Sequence, residues 1–153
     1  MDFRITLFSG SPPCPLEVEV IRAFPDVSFS QETFDFLRNG MSLVNLSDVA
    51  YFLGVAIIGF TRMRDVSMGD AAFLSDFLDY LDVNGRTTRM SENQLIAASI
   101  AEEKILFQEF PEDKKKVVAK FLTAIKDGEF FEFKEDAIKS ALEFWKGQRQ
   151  EQL

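Results

Sequence analysis

The stretch LSDVAYFLGVAIIGFTRMR, residues 46–64, decides the fold that we expect for this chain. Its apolar side chains continue for roughly a dozen positions and, at about 100° per residue, fall on every side of a helix. Ser47 and Asp48 are both good N-cap residues, so we expect a helix over residues 47–63. A helix that is apolar all round is buried, and a membrane span needs about 20 such residues. The sequence therefore predicts a central helix that the other helices of the chain cover.

Apolar side chains at helical spacing predict further helices before and after this stretch. Capping and turn residues place them at residues 16–24, 30–37, 91–107, 111–127 and 134–145, with one more that begins at residues 69–70 and is ended by a turn at residues 84–85. Ser91 with Gln94 forms a predicted capping box, and the polar residues 83–90 are expected to form a loop. We therefore expect residues 1–153 to fold as one mainly α domain, a bundle of five to seven helices around the central one.

One or two short strands are expected in addition, at the N-terminal or C-terminal end. The first alternates apolar and polar residues, with apolar side chains at Phe3, Ile5 and Leu7. Its candidate partner is residues 129–133, where Phe131 and Phe133 alternate around Glu132. Residues 1–14 are otherwise expected to be extended, and the polar tail 147–153 is expected to fray.

The aromatic residues are dominated by phenylalanine, with 17 Phe against 2 Tyr and 1 Trp. Phe has no polar group, so most of these rings are expected in the core, and an exposed minority would mark a contact site. The helical spacing predicts one contiguous buried cluster that contains Phe52, Ile57, Phe77, Leu78, Phe121, Leu122, Leu142 and Trp145.

The chain is acidic, with a formal net charge of −8 and a sequence pI near 4.6. Nucleic acids and anionic lipids bind mainly through cationic side chains, so both are poor candidates as partners. The sign of the charge favours a basic protein or peptide. The alternative is that the acidity serves solubility alone, as in many soluble proteins.

The residue types exclude several kinds of chemistry. The chain has no histidine, which removes the commonest general base and the commonest zinc ligand, and Cys14 is its only cysteine. No phosphate-binding GxxxxGK[ST] motif is present. We therefore expect no catalytic residue, no cofactor and no metal site. One cysteine and an N-terminus without a signal peptide indicate a cytoplasmic protein.

Four stretches carry a resemblance to a known group of proteins. They are AFPDV at residues 23–27, LSDVAYFL at residues 46–53, Phe121-Leu122, and ALEFW at residues 141–145. In these framework positions the chain resembles a family of small, uncharacterised, helix-rich bacterial proteins. The resemblance implies a helical fold and a bacterial origin. The family has no established activity, so the resemblance implies no reaction.

Three carboxylates on one predicted helix are the candidate partner-binding residues. Asp76, Asp79 and Asp82 fall within an arc of about 120°, opposite the apolar stripe that contains Phe73 and Phe77. Calcium is not expected here, because a calcium loop needs alternating oxygen ligands around a glycine turn rather than a helix. We expect the three carboxylates to face either solvent alone or a basic partner.

These observations favour a non-enzymatic protein-binding module, most specifically an immunity-type protein that binds and occludes a bacterial toxin. Small size, acidity and the lack of a catalytic constellation motivate this hypothesis. One alternative is a secretion-type chaperone or adaptor, which would hold a partner segment on exposed apolar surface. Another is a small enzyme that uses carboxylates.

Overall fold

The computed structural model describes residues 5–6, 14–39, 49–63 and 65–147. In these ranges the chain forms eight α-helices, one 3-10 helix and two strands. The helices are α1 (Cys14–Ala23), α2 (Gln31–Asn39), α3 (Val49–Arg62), α4 (Met68–Leu81), α5 (Val83–Arg89), α6 (Gln94–Gln108), α7 (Glu112–Lys126) and α8 (Glu135–Trp145), with the 3-10 helix at Glu129–Phe133. The predicted mainly α fold is confirmed, and the described residues contain one helix more than the upper limit of five to seven.

The predicted central helix is α3. Every residue from Leu53 to Thr61 is buried, as an all-round apolar helix requires. Helices α1 and α2 pack against α3. The ring of Phe60 also contacts Phe73 of α4 and Phe121 of α7, with centroids 5.3 and 6.3 Å apart. No helix among the described residues is long and apolar enough to cross a membrane.

Phenylalanine rings join four helices at the centre of the core. Neighbouring centroids in this group lie 5.3 to 6.3 Å apart, within the range of favourable ring contacts, and its members are Phe34, Phe60, Phe73, Phe77 and Phe121. Seven of the eight residues predicted to form one buried cluster are buried in the hydrophobic core. The eighth, Phe52, is half-buried and packs against that core. The predicted phasing of the helices is therefore confirmed.

A second aromatic group attaches the last helix to the bundle. Phe107 at the end of α6 lies 4.9 Å from the Trp145 ring and 5.6 Å from the Tyr80 ring, centroid to centroid. The indole Nε1 of Trp145 donates a hydrogen bond to the carbonyl of Leu81, 3.1 Å away. Because this contact satisfies the one polar group of a buried indole, Trp145 joins the end of α8 to the end of α4.

The strand pairing differs from the prediction. Strand β1 (Ile5–Thr6) pairs antiparallel with β2 (Asp65–Val66), with Ile5 opposite Val66. The predicted partner, residues 129–133, is instead the 3-10 helix, in which local hydrogen bonds such as that from Lys134 N to the Phe131 carbonyl replace a strand ladder. Phe131 is therefore half-buried whereas Phe133 is exposed, although a strand would place both on one face.

The predicted loop at residues 83–90 is also wrong, because this segment forms α5. The carboxylate of Asp82 accepts a hydrogen bond from Gly85 N at 3.0 Å and so caps the helix. The capping box predicted for the next helix, formed by Ser91 with Gln94, is also wrong. The N-cap of α6 is Asn93, whose side chain accepts from Ile96 N at 3.1 Å. The observed cap thus lies two residues after Ser91, the predicted one.

Several predictions concern the ends of the chain and the start of α3. The extended segment predicted for residues 1–14 overlaps α1, which already begins at Cys14, since Pro15 is tolerated in a first helical turn. Apart from β1, the rest of that segment lies outside the described residues. The N-cap role of Ser47 and Asp48 and the fraying of the tail after Gly147 lie outside the described residues.

Gly59 is required where α2 crosses α3. A Cβ added to Gly59 would lie 2.3 Å from Cδ1 of Phe34, whose buried ring is already held between Phe60 and Phe73. We predict that Gly59→Ala lowers the free energy of unfolding by about 1–3 kcal/mol, because the ring cannot move away. The measurement is urea denaturation followed by circular dichroism.

Gly69→Ala is the matched control. Gly69 lies in the first turn of α4, where an added Cβ would meet nothing closer than Ser67 Oγ at 4.0 Å. This variant should be as stable as the wild type, or more stable by up to about 1 kcal/mol, from helix propensity. Equal stability of the two variants would contradict the close approach at Gly59.

Candidate functional site

Half of the eight exposed large apolar side chains among the described residues lie at one place on the surface. Four of them, Met90, Leu95, Ile96 and Phe133, are between 41% and 86% exposed. All four line two adjoining pockets, which meet at Asp79 and Arg89. We call the two pockets together the groove. Single exposed apolar residues are ordinary on protein surfaces, but a cluster of them at a concave site marks a contact surface.

Helix α6 supplies most of the apolar wall. Only Ile100 and Phe107 of its 15 residues are buried. The apolar side chains of α6 lie on several sides of the helix. Leu95 is the most exposed of them, with 86% of its surface accessible. A helix with apolar residues on several sides is normally covered by neighbours, as α3 is. Among the described residues, α6 packs mainly against α5, and no comparable cover lies over its other sides.

The groove runs from α6 to the start of α8. The pocket beside α6 has a volume of about 580 Å³ and extends along the helix as far as Glu103. The adjoining pocket, of about 520 Å³, is lined by the 3-10 helix and the first turn of α8, including Phe133 and Asp136. The walls are thus helical along the whole length of the groove.

The guanidinium of Arg86 holds the α6 wall in place. Its Nη1 donates to Glu103 Oε1 at 2.7 Å, and its Nη2 donates to the carbonyl of Tyr80 at 2.6 Å. The same group lies 4.8 Å from the centre of the Tyr80 ring. Arg86 of α5 therefore connects the end of α4 to the middle of α6. Charge-assisted bonds of this kind, half-buried at both ends, restrict the relative motion of the helices that they join.

The Tyr80 phenol beneath this contact stays protonated. Burial raises the pKa of Tyr80 well above its ordinary value, the negative charge of Glu103 raises it further, and Arg86 opposes both. A phenol with a pKa this high is a poor general base at neutral pH. The network of Tyr80, Arg86 and Glu103 therefore serves to position helices.

The end of the groove near Phe133 is acidic. Glu132 and Asp136 are exposed, and neither has an ion-pair partner within 4 Å among the described residues. Asp79, where the two pockets meet, is paired with Lys134 at 2.8 Å. Arg89, the other cation that lines this end, lies 3.8 Å from Asp82, so both cations are in ion pairs, whereas Glu132 and Asp136 are in none among the described residues. The groove therefore combines an apolar end at α6 with an anionic end at α8.

The three carboxylates predicted from the sequence do not form one outward stripe. Asp76 is exposed and lines neither pocket, whereas Asp79 lies at the groove. Asp82 is only 1% exposed, so the expectation that it faces solvent or a partner is wrong. Helix α4 ends at Leu81, one residue before Asp82. The Asp82 side chain therefore caps α5 and lies 3.8 Å from Arg89. A contact role for Asp76 and Asp79 stays a prediction.

The sequence prediction missed the apolar groove residues. The sequence pattern predicts only a helix around Leu95 and Ile96 and a candidate strand at residues 129–133, and neither element by itself indicates a groove. One signal was available, since α6 has apolar residues on several sides, as α3 does. Hydrophobicity alone does not indicate whether the covering partner belongs to the same chain.

The geometry of the groove suits binding better than catalysis. Its inner carboxylates, Asp79 and Glu103, are each paired with a cation. Within the described ranges, no three acidic, cysteine or histidine side chains converge as a metal site would require. The apolar end offers area to bury, and the anionic end offers charge that a cationic group would complement.

Comparisons with known proteins find no match to this chain among protein-family models, curated proteins or solved structures. The resemblance to a bacterial family that the framework residues suggest therefore stays a prediction. The residues of the groove themselves carry the argument for function.

The capping role of Asp82 can be measured. We predict that Asp82→Ala lowers the free energy of unfolding by about 1–2 kcal/mol, because the cap of α5 and the contact with Arg89 are both lost. Asp82→Asn should lose less, since Asn is also a good N-cap. Urea denaturation gives both values.

Asp76→Ala on the same helix is the control, and it should change the stability by less than about 0.5 kcal/mol, because Asp76 is exposed. If Asp82→Ala cost no more than this control, the cap would contribute nothing to stability.

Proposed function

We propose that the protein is a non-enzymatic protein-binding module whose groove docks a basic protein partner. The observation that carries this proposal is the convergence of Met90, Leu95, Ile96 and Phe133 on one groove in a chain with a net charge of −8. Surfaces of this composition are typical of interfaces that combine apolar anchors with a charged rim.

The apolar end of the groove supports the proposal energetically. Complete burial of a Leu, Ile, Met or Phe side chain contributes roughly 1.5–3 kcal/mol. Leu95 has nearly all of this contribution still available, because it is 86% exposed. A few such anchors near the centre of an interface commonly carry most of the binding free energy. The groove thus has enough apolar surface to hold a partner.

The charge supports a basic partner over other classes. Glu132 and Asp136 leave the α8 end of the groove negative, in agreement with the negative charge of the whole chain. Such a field accelerates association with a cationic protein and disfavours nucleic acid and anionic membranes. A cytoplasmic location is part of the proposal.

Two specific forms of the proposal remain distinct. The first is an immunity-type protein that occludes a bacterial toxin, which small size and acidity support. The second is a chaperone or adaptor that holds a partner segment, which the exposed apolar side chains of α6 support. A carboxylate enzyme is less well supported, because Asp79 and Glu103 are engaged in ion pairs.

The test is affinity capture with matched variants. Wild-type protein, the groove variant Leu95→Gln/Ile96→Gln and the control variant Val18→Gln/Ile21→Gln are each immobilised and exposed to a lysate of the native host. Val18 and Ile21 are also exposed apolar residues, but they lie on α1 and line neither pocket. We expect a basic protein that the wild type and the control retain and that the groove variant loses.

Capture of the same proteins by all three would contradict the proposal, as would loss of the partner from the control variant alone. The two forms then separate by one further assay with the captured partner. An immunity-type protein abolishes the partner's toxic activity in a one-to-one complex, whereas an adaptor keeps the partner soluble and leaves its activity intact after release.

A further inference from the structure

We infer that the element of the partner that occupies the groove is a cationic amphipathic helix, with apolar residues at the α6 end and Lys or Arg at the α8 end. This inference rests on the function proposed above and adds the chemistry and conformation of the ligand. It follows from three features of the groove: its helical walls, its apolar floor and the separation of apolar surface from negative charge.

The helical walls decide the conformation of the ligand. None of the residues that line the groove belongs to β1 or β2, and apart from the groups of their terminal turns the helices of the walls satisfy their backbone groups internally. An extended segment therefore finds no strand edge here to which it can add. Its own backbone groups would be left unpaired on the apolar surface of the groove, and unpaired buried backbone groups are unfavourable. A helix avoids this cost, because its backbone hydrogen bonds are internal.

The apolar floor decides one face of the ligand. Met90, Leu95 and Ile96 lie together at the α6 end, and the Arg86–Glu103 ion pair holds that wall in position. Side chains at positions i, i+3, i+4 and i+7 of an incoming helix would meet this surface as a continuous stripe. Because the wall is already held in place, little ordering cost accompanies docking.

The negative charge of the groove determines the other end of the ligand and disfavours a second copy of this chain as the occupant. Glu132 and Asp136 are exposed carboxylates without ion-pair partners among the described residues, so Lys or Arg on the ligand is complementary to them. A second copy of this chain would bring another net charge of −8 to a surface that is already negative.

The experiment uses three labelled synthetic peptides of about 18 residues, or roughly 27 Å as a helix. The first has Leu at helical spacing on one face and Lys elsewhere. The second has the same composition in an order without helical periodicity. The third is the first with Glu in place of Lys. Fluorescence anisotropy measures their binding to the intact protein at low and at physiological salt, and stopped-flow fluorescence measures the rates.

We expect the first peptide to bind at least roughly tenfold more tightly than the other two, and its circular dichroism to become helical on binding. Leu95→Gln/Ile96→Gln should mainly raise its dissociation rate. Glu132→Gln/Asp136→Asn should mainly lower its association rate and the salt dependence of that rate. The controls Val18→Gln/Ile21→Gln and Asp76→Asn, which lie outside the groove, should leave both rates unchanged.

Equal affinity of the first and second peptides would overturn the inference, and so would unchanged rates in both groove variants. A wild-type protein that sediments as a dimer, and a groove variant that sediments as a monomer, would identify a second copy as the occupant and would also overturn it. If affinity capture yields a partner that depends on Leu95 and Ile96 while the patterned peptide shows no preference, the proposed function stands and the helical ligand is wrong. If neither experiment depends on the groove, both proposals fail.

Discussion

The burial of α3 is the constraint on which the rest of this structure depends. From Leu53 to Thr61 the helix has no exposed residue, so other helices must cover it. Helices α1 and α2 pack against it, and the Phe60 ring contacts α4 and α7. The cover of α3 is then complete, and α6 has no place against it. Helix α6 is attached instead at the edge of the bundle, through Phe107 and the Arg86–Glu103 pair.

The exposure of the groove follows from this arrangement. Among the described helices, α3 and α6 both have apolar residues on several sides, but α3 is covered all round whereas only two residues of α6 are buried. The second, α6, keeps Leu95 and Ile96 in solvent at a cost in hydrophobic free energy that the fold tolerates. Exposed apolar surface of this kind lowers solubility unless a partner covers it or charge surrounds it. The acidic composition of the chain agrees with both roles.

Three aspartates spaced three residues apart on and just after α4 take three different roles. Asp76 remains in solvent, Asp79 pairs with Lys134 at the groove, and Asp82 is buried as the cap of α5. Their spacing in the sequence is uniform, so the differences arise from what lies next to each carboxylate. The charge that is available to a partner comes instead from Glu132 and Asp136, beyond α4 in the chain. Apolar anchors and uncompensated charge thus meet in one groove although they come from separate parts of the sequence.

The sequence by itself determined the fold class, the central position of α3 and the buried residues, because hydrophobic periodicity is a local property that each helix carries. It also predicted helices that begin near residue 30 and near residue 111, where α2 and α7 begin, since the residues that start these two helices are their neighbours in the chain. Only the tertiary structure decided that Asp82 is buried, that residues 129–133 form a 3-10 helix and that the far sides of α6 lack a cover. Periodicity states which side chains are apolar. Whether another part of the chain reaches them depends on the space left around the core, and that space is a property of all the helices together.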